Sequence, residues 1–190
     1  MNGINFEKLH EIKVFFDKTT STLSYVVYDD LEKKCAVIDS VLDFDYSSGD
    51  IDYVNADKII SFINDKKLNL EWLIETHVHA DHLSASPYIQ NKLGGKIGIS
   101  ENISDIQNIF GKTFNAETEF QRDGSQFDKL FKEGDQYKIG RIKCKVIHTP
   151  GHTPACNANV IGNSVFVGDT LFMPDLGSAR ADFPGGDARQ

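Results

Sequence analysis

The sequence predicts a layered α/β domain of the α+β type, and three observations lead there. Apolar or alternating runs crowd both ends of the chain, segments of helical period lie between them, and a histidine cluster follows directly on a buried strand. Residues 12–16 (IKVFF), 22–29 (TLSYVVYD) and 34–39 (KCAVID) read as strands, and 40–50 (SVLDFDYSSGD), rich in Asp, Ser and Gly, as a loop. From Asn55 to Lys67 the period turns helical, with Ile59, Ile60 and Ile63 on one face and Lys58 and Asp65 towards water. LEWLIET (70–76), a short apolar run ending at the histidine cluster, reads best as a buried strand. Ser86-Pro87 supplies a helix N-cap and first-turn proline, and Gly94-Gly95 the stop. KIGIS (96–100) is a strand and 101–111 a second capped helix, while 112–134 carries no clear period. QYKIG and RIKCKVIHT form a hairpin, ANVIG and SVFVGDT two further strands, and the last twenty residues no regular element.

A chain of 190 residues with 40% hydrophobic content and thirteen Phe can bury one core, so a single domain over 1–190 is expected. Twenty Lys and Arg against twenty-eight Asp and Glu leave a formal charge of −8, which disfavours nucleic acid as a partner. No stretch approaches a membrane span, and the opening MNGINFEKLHEIKVFF lacks the layout of a secretory signal. Cys35, Cys144 and Cys156 are odd in number and widely spaced, which suits a reducing compartment better than a disulfide framework. A cytoplasmic protein is the expectation.

Half of the chain's six histidines fall in IETHVHADHLSAS (74–86). His77 and His79, two apart on extended backbone, can turn their rings to one side, and Asp81 and His82 follow as the chain bends towards the next helix. Imidazoles with a carboxylate suit zinc, iron or manganese rather than calcium, which prefers oxygen alone. Two remote segments can complete the ligand set: HTPGHTP (148–154), with His152 beyond a Pro-Gly turn, and VFVGDTLF (165–172), with Asp169 just after a strand. Taken singly, His148 reads as a structural strand-end histidine and Gly168-Asp169 as an ordinary turn; together with the cluster, ligation by His77, His152 and Asp169 becomes the better reading. Cys156 reads as a small packed residue.

The ordered motifs His77-x-His79-x-Asp81-His82, Thr149-Pro150-Gly151-His152-Thr153 and Gly168-Asp169-Thr170 resemble those of the metallo-β-lactamase superfamily. The resemblance implies an αββα sandwich. It also implies that the sandwich is truncated on its C-terminal side, because the late His-Asp-Tyr segment with which persulfide dioxygenases of this superfamily continue has no counterpart here. Three segments, 39–45 (DSVLDFD), 76–99 and 178–188 (SARADFPGGDA), are similar to the persulfide dioxygenase branch. That likeness implies one Fe(II) per chain, held by His77, His152 and Asp169, with His79, Asp81 and His82 as supporting catalytic groups and Arg180 gripping the carboxylate of glutathione persulfide. Two histidines and a carboxylate form the facial triad that leaves positions open for O₂ and substrate.

Two other readings stand beside it. In a glyoxalase II-like thioester hydrolase, one or two Zn(II) ions would replace iron. His77, His79 and His152 would hold one, Asp81 and His82 the other, and Asp169 would bridge them. A non-catalytic metal-binding fragment is the third reading, its uncovered sheet needing a companion domain or a second copy in a homo-oligomer.

Overall fold

The computed structural model describes residues 10–116 and 119–190. Its elements, in order, are β1 (Glu11–Asp17), β2 (Thr22–Asp29), β3 (Lys34–Ile38), β4 (Val41–Phe44), β5 (Ile51–Asp52), α1 (Val54–Asp65), β6 (Asn69–Ile74), β7 (Leu83–Ser84), α2 (Ser86–Leu93), β8 (Lys96–Ser100), α3 (Ile103–Thr113), β9 (Lys129–Phe131), β10 (Gln136–Ile139), β11 (Ile142–His148), β12 (Asn157–Ile161) and β13 (Ser164–Phe166). A single 3₁₀ turn, Gly168–Thr170, follows β13.

Two sheets lie face to face. The first has the order β1-β2-β3-β6-β8-β9, antiparallel from β1 to β3 and parallel from β3 to β9; the second is the meander β10-β11-β12-β13. Between them pack Val27, Ala36, Ile38, Ile74 and Phe131 from one side and Ile139, Ile142, Val146, Ile161 and Phe166 from the other. The opposite face of the first sheet, with Val26, Val37, Leu73 and Ile97, is covered by Ala56, Ile59 and Ile63 of α1 and Ile89 of α2. α3 seals the same side through Ile103 and Ile106 against Ile99. Strict alternation along β11 buries Ile142, Cys144 and Val146 and exposes Lys143, Lys145 and Ile147, the pattern of a sheet wet on one face. The described residues thus supply a helical layer and both sheets of the expected sandwich.

The segment expected as a loop at 40–50 is ordered differently. Val41–Phe44 is a strand, paired with Ile51–Asp52 on one side and Leu83–Ser84 on the other in a small third sheet. Its Asp and Ser residues mask a pairing that only a distant strand completes. β9 emerges similarly from the unassigned 112–134 region as a parallel edge strand beside β8. α2 begins one residue earlier than expected: Ala85 is the N-cap, Ser86 opens the helix, and no side chain caps it. The Ser86 hydroxyl is engaged elsewhere. At the other end Gly94, at φ 74°, stops the helix in a backbone region that favours glycine. α3 also lacks the side-chain cap expected of it.

Candidate metal centre

Parallel pairing brings the site together. β3 and β6 run the same way, Ile38 opposite Ile74, so the residues leaving their C-terminal ends, Asp39 and Glu75-Thr76-His77, lie side by side. The Asp39 amide donates to the Ile74 carbonyl at 3.0 Å, and the Asn157 amide to the Thr76 carbonyl at 2.9 Å. The second of these ties the start of β12, hence the 149–156 loop, to the first sheet. Thr149 Oγ1 and Thr170 Oγ1 lie 2.7 Å apart and join that loop to the turn carrying Asp169. Gly168 sits at φ 50° against Thr76, and a Cβ there would run into the Thr76 hydroxyl, so this turn closes only with glycine.

Three separate loops therefore converge. Asp169 Oδ2 stands 3.8 Å from His77 Nε2 and 3.6 Å from His152 Nε2, too far for hydrogen bonds. Metal–ligand bonds of about 2.0–2.2 Å place adjacent donor atoms about 3–3.5 Å apart, so a small contraction around a cation accounts for the spacing. Donor atoms of His79, Asp81 and His82 gather in the same way, all within 4.8 Å of one another. The rings of His77 and His79 lie 4.1 Å apart and those of His79 and His82 4.2 Å apart, so the two sets adjoin.

Hydrogen-bond partners assign each imidazole's free nitrogen. Thr76 Oγ1 donates to Asp39 Oδ2 at 2.8 Å and receives His77 Nδ1–H at 3.0 Å, leaving His77 Nε2 for the centre. His152 Nδ1–H donates to the Arg180 carbonyl at 2.7 Å and frees Nε2 likewise. His79 directs Nε2–H to Asp39 Oδ1 at 3.1 Å, which leaves Nδ1 facing away from that acid. His82 Nδ1–H donates to the Leu83 carbonyl at 3.0 Å, and its buried Nε2 has no hydrogen-bond partner. A buried lone pair without a donor fits a ligand waiting for a cation.

Electrostatics favour a cation beside His77 and Asp169, whereas His79 is held in its charged form. Burial, then the charge of His79, pushes His77 down to about 3, so that ring is neutral and available as a donor. Burial raises the Asp169 carboxyl above its ordinary value, a cost that an adjoining cation relieves. Burial opposes charge on His79, yet Asp39 and Glu75 hold that imidazole well above its usual range. Asp39, disfavoured by burial but bonded to His79 and Thr76, stays below its usual range.

Arg180, expected to grip a substrate carboxylate, pairs its side chain with a neighbouring acid. Its guanidinium is 66% exposed, bonds Asp182 at 2.6 and 2.9 Å, and lies 4.9 Å from the Phe183 ring. Its contact with the centre is through its backbone carbonyl, on His152. His148, read as structural, sits outside the centre, 3.5 Å from Ser100 Oγ. Cys156 is buried and its thiol is pushed up by that burial, as befits a packed residue. The residues that sequence reasoning missed are Asp39, Thr76, Glu75 and Phe183. Only Asp39, an acid terminating an apolar strand, left a signal that could have been read.

A cavity of about 340 Å³ opens beside His82, walled by Tyr46 and by Asp17, Asp43, Asp45, Asp50 and Asp52. Tyr46 Oη donates to the Asp81 carbonyl at 2.8 Å and Thr22 Oγ1 to Asp81 Oδ2 at 3.2 Å, fixing the exposed acid from both sides.

A family model described as "Metallo-beta-lactamase superfamily" matches residues 18–190. The chain belongs to the metallo-β-lactamase superfamily. Among curated members it is 48% identical over 188 residues to a probable metallo-hydrolase of Burkholderia pseudomallei, covering 94% of this chain and 64% of that protein. It is 46% identical to glyoxylase B2 of Dictyostelium discoideum, covering 94% and 62%, and 26% identical to the human mitochondrial persulfide dioxygenase ETHE1, covering 94% and 58%. Superposition on the crystal structure of ETHE1 from Myxococcus xanthus gives a TM-score of 0.73 at 25% identity, over 93% of this chain and 64% of that one. The chain thus spans 58–64% of the length of these curated relatives. Members of the superfamily act as metal-dependent hydrolases or dioxygenases, and this chain carries clusters of residues that could hold a metal ion. Among the described residues no helix is long and apolar enough to cross a membrane.

Proposed function

We propose that the protein is a mononuclear non-haem iron persulfide dioxygenase, converting glutathione persulfide, O₂ and water into glutathione, sulfite and two protons. The observation that carries this reading is the convergence of His77, His152 and Asp169 on one point, with the Asp169 side chain 34% exposed so that the mouth stays open to ligands. The relationship to persulfide dioxygenases in sequence and fold supports it. When bound, Fe(II) would supply open positions for O₂ and for a soft sulfur anion, and the redox chemistry between them.

The chain's own groups do the rest. Thr76 and the Arg180 carbonyl hold His77 and His152 in the tautomers that present Nε2. His79, Asp81 and His82 line the adjoining side, where they orient water and the departing protons. Five aspartates around the cavity repel the carboxylates of glutathione, which directs an anionic substrate away from that wall and towards His152, where the Phe183 ring lies 5.1 Å from the imidazole and Arg180 stacks on Phe183. For Arg180 to grip the substrate it must exchange the exposed Asp182 carboxylate for a substrate one, a swap between groups of equal charge.

The second reading, a zinc-dependent thioester hydrolase, is favoured by the additional donor set His79, Asp81 and His82 and by similarity to hydrolase-like relatives and glyoxylase B2. One pair of assays separates the two. Protein loaded anaerobically with Fe(II) should consume O₂ on addition of glutathione persulfide, above a metal-free control, and should leave S-lactoylglutathione intact. Thioester hydrolysis by zinc-loaded protein, without O₂ uptake by the iron form, would reverse the assignment. Asp169→Ala should reduce bound metal from about one ion per chain to near none by elemental analysis; full retention would remove Asp169 from the ligand set.

A further inference from the structure

Glu75 has no place in the ligand set or in the reaction as described, yet it is buried to 4% exposure directly behind the centre. Its two oxygens are used unequally. Oε1 accepts from Ser84 Oγ and Ser86 Oγ, each at 2.5 Å. Oε2 has no hydrogen bond and lies 3.5 Å from His79 Nε2, the nitrogen that also faces Asp39 Oδ1 at 3.1 Å. A purely structural acid, pinning the end of β6 to the start of α2, would need Oε1 alone. An ionised carboxylate held out of water is costly unless a cation or donor answers it, and the group answering Oε2 is an imidazole of the metal centre.

We infer that Glu75 is a positioning residue for the metal centre: with Asp39 it forms a two-carboxylate clamp on the Nε2–H edge of His79. The clamp fixes the ring with Nδ1 towards Asp81 and His82, and two carboxylates behind one imidazole make that nitrogen a stronger electron donor. They also leave the cluster negative on its inner side, a charge pattern that favours a cation in front. Ser84 and Ser86 orient Glu75 in turn, which gives the Ser86 hydroxyl its use away from the helix cap.

Asp39, Glu75 and His79 also lie close enough to hold an ion themselves, with donor atoms within 4.8 Å of one another. Their lone pairs argue otherwise. Asp39 already accepts from the Thr76 amide, the Thr76 hydroxyl and His79, Glu75 Oε1 accepts from two serines, and the His79 nitrogen that faces both acids carries its proton towards them and offers no lone pair.

The inference rests on the proposed function only in requiring a metal at this centre, whichever reaction that metal serves. Glu75→Gln separates the roles, because the amide oxygen still accepts from both serines while the charge is lost. Metal-free wild type and variant are compared by thermal unfolding and then titrated with Co(II), following visible absorption and stoichiometry. The variant should unfold within a few degrees of wild type, bind Co(II) about 10–100-fold more weakly and show an altered ligand-field spectrum. Wild-type affinity with a wild-type spectrum would overturn the clamp, and loss of one whole equivalent of Co(II) would overturn it in favour of direct ligation. Should Glu75→Gln fail to fold, Glu75→Asp keeps the charge but withdraws Oε2 from His79; weaker binding with a changed spectrum is again expected, and no change refutes. Wild type that binds no Co(II) at all would sink both this inference and the metal reading. Wild type that binds it but consumes no O₂ in the iron form leaves the clamp standing and removes the dioxygenase alone.

Discussion

Thr76 shows how much of this centre depends on groups that bind no metal. One hydroxyl receives the His77 proton and donates its own to Asp39, so it sets the tautomer of one histidine and steadies the acid that orients another. Thr76→Val keeps the shape of the side chain and removes both bonds, leaving His77 Nδ1–H and one Asp39 oxygen short of a partner in a dry interior. Metal affinity should fall about 10–100-fold, measured by competition with a chelator of known affinity, while Thr76→Ser should restore most of it. At this scale the three residues that converge were legible from motif spacing, since His77, His152 and Asp169 each sit in a motif. Their supports were not, because a threonine beside a histidine has nothing in sequence to separate it from any other threonine. Arg180 marks the reverse case: a residue singled out for its charge reaches the centre through its main chain.

The elements are held in register by contacts between parts far apart in the chain. Asp29, at the end of β2, is 1% exposed and takes two guanidinium bonds from Arg141, at 2.8 and 2.9 Å, across the hairpin between β10 and β11. Further bonds arrive from the Leu31, Glu32 and Arg141 amides. The Arg141 guanidinium, helped by these amides, holds the Asp29 carboxyl far below its ordinary value. A depressed carboxyl contributes its stability in full above the unfolded value, near pH 3.9, and loses it as pH falls towards the folded one. Asp29→Asn should therefore lower the unfolding free energy by about 1–3 kcal/mol at pH 7, with a gap to wild type already narrower at pH 3, read from urea unfolding at both. Strands with clean alternation were legible beforehand; β4, β7 and β9 were not, because each is short and gains its hydrogen bonds from a partner distant in sequence.

For the whole molecule, a bound cation would also be a fastening. His77, His152 and Asp169 come from the end of β6, the loop between β11 and β12, and the turn after β13, so an ion held by them would link the two sheets. A cation bound by the folded chain and not by the unfolded one stabilises by mass action, about 4 kcal/mol at a thousandfold excess over its dissociation constant. For a chain of this size that corresponds to a rise in Tm of about 8–16 °C. Scanning calorimetry with and without chelator should show it, and a Tm indifferent to chelation would mean that the loops close without an ion. The outer face of the second sheet, with Lys143, Lys145, Ile147 and Val165 in water, takes no part in that fastening.

Period and motif order determined by themselves that this chain builds a layered α/β domain of the metallo-β-lactamase superfamily, and they named the histidines and the aspartate that meet in it. These are local signals: a repeat of two or of 3.6 residues and a ligand spacing survive in one dimension. Tertiary structure alone decided which nitrogen of each ring is free, that Asp39 and Glu75 share His79, and that the Arg180 guanidinium lies on Asp182. Those outcomes depend on parallel strands ending at one edge and on buried polar groups finding whichever partner lies within hydrogen-bond reach, and neither is written in the spacing of residues along the chain.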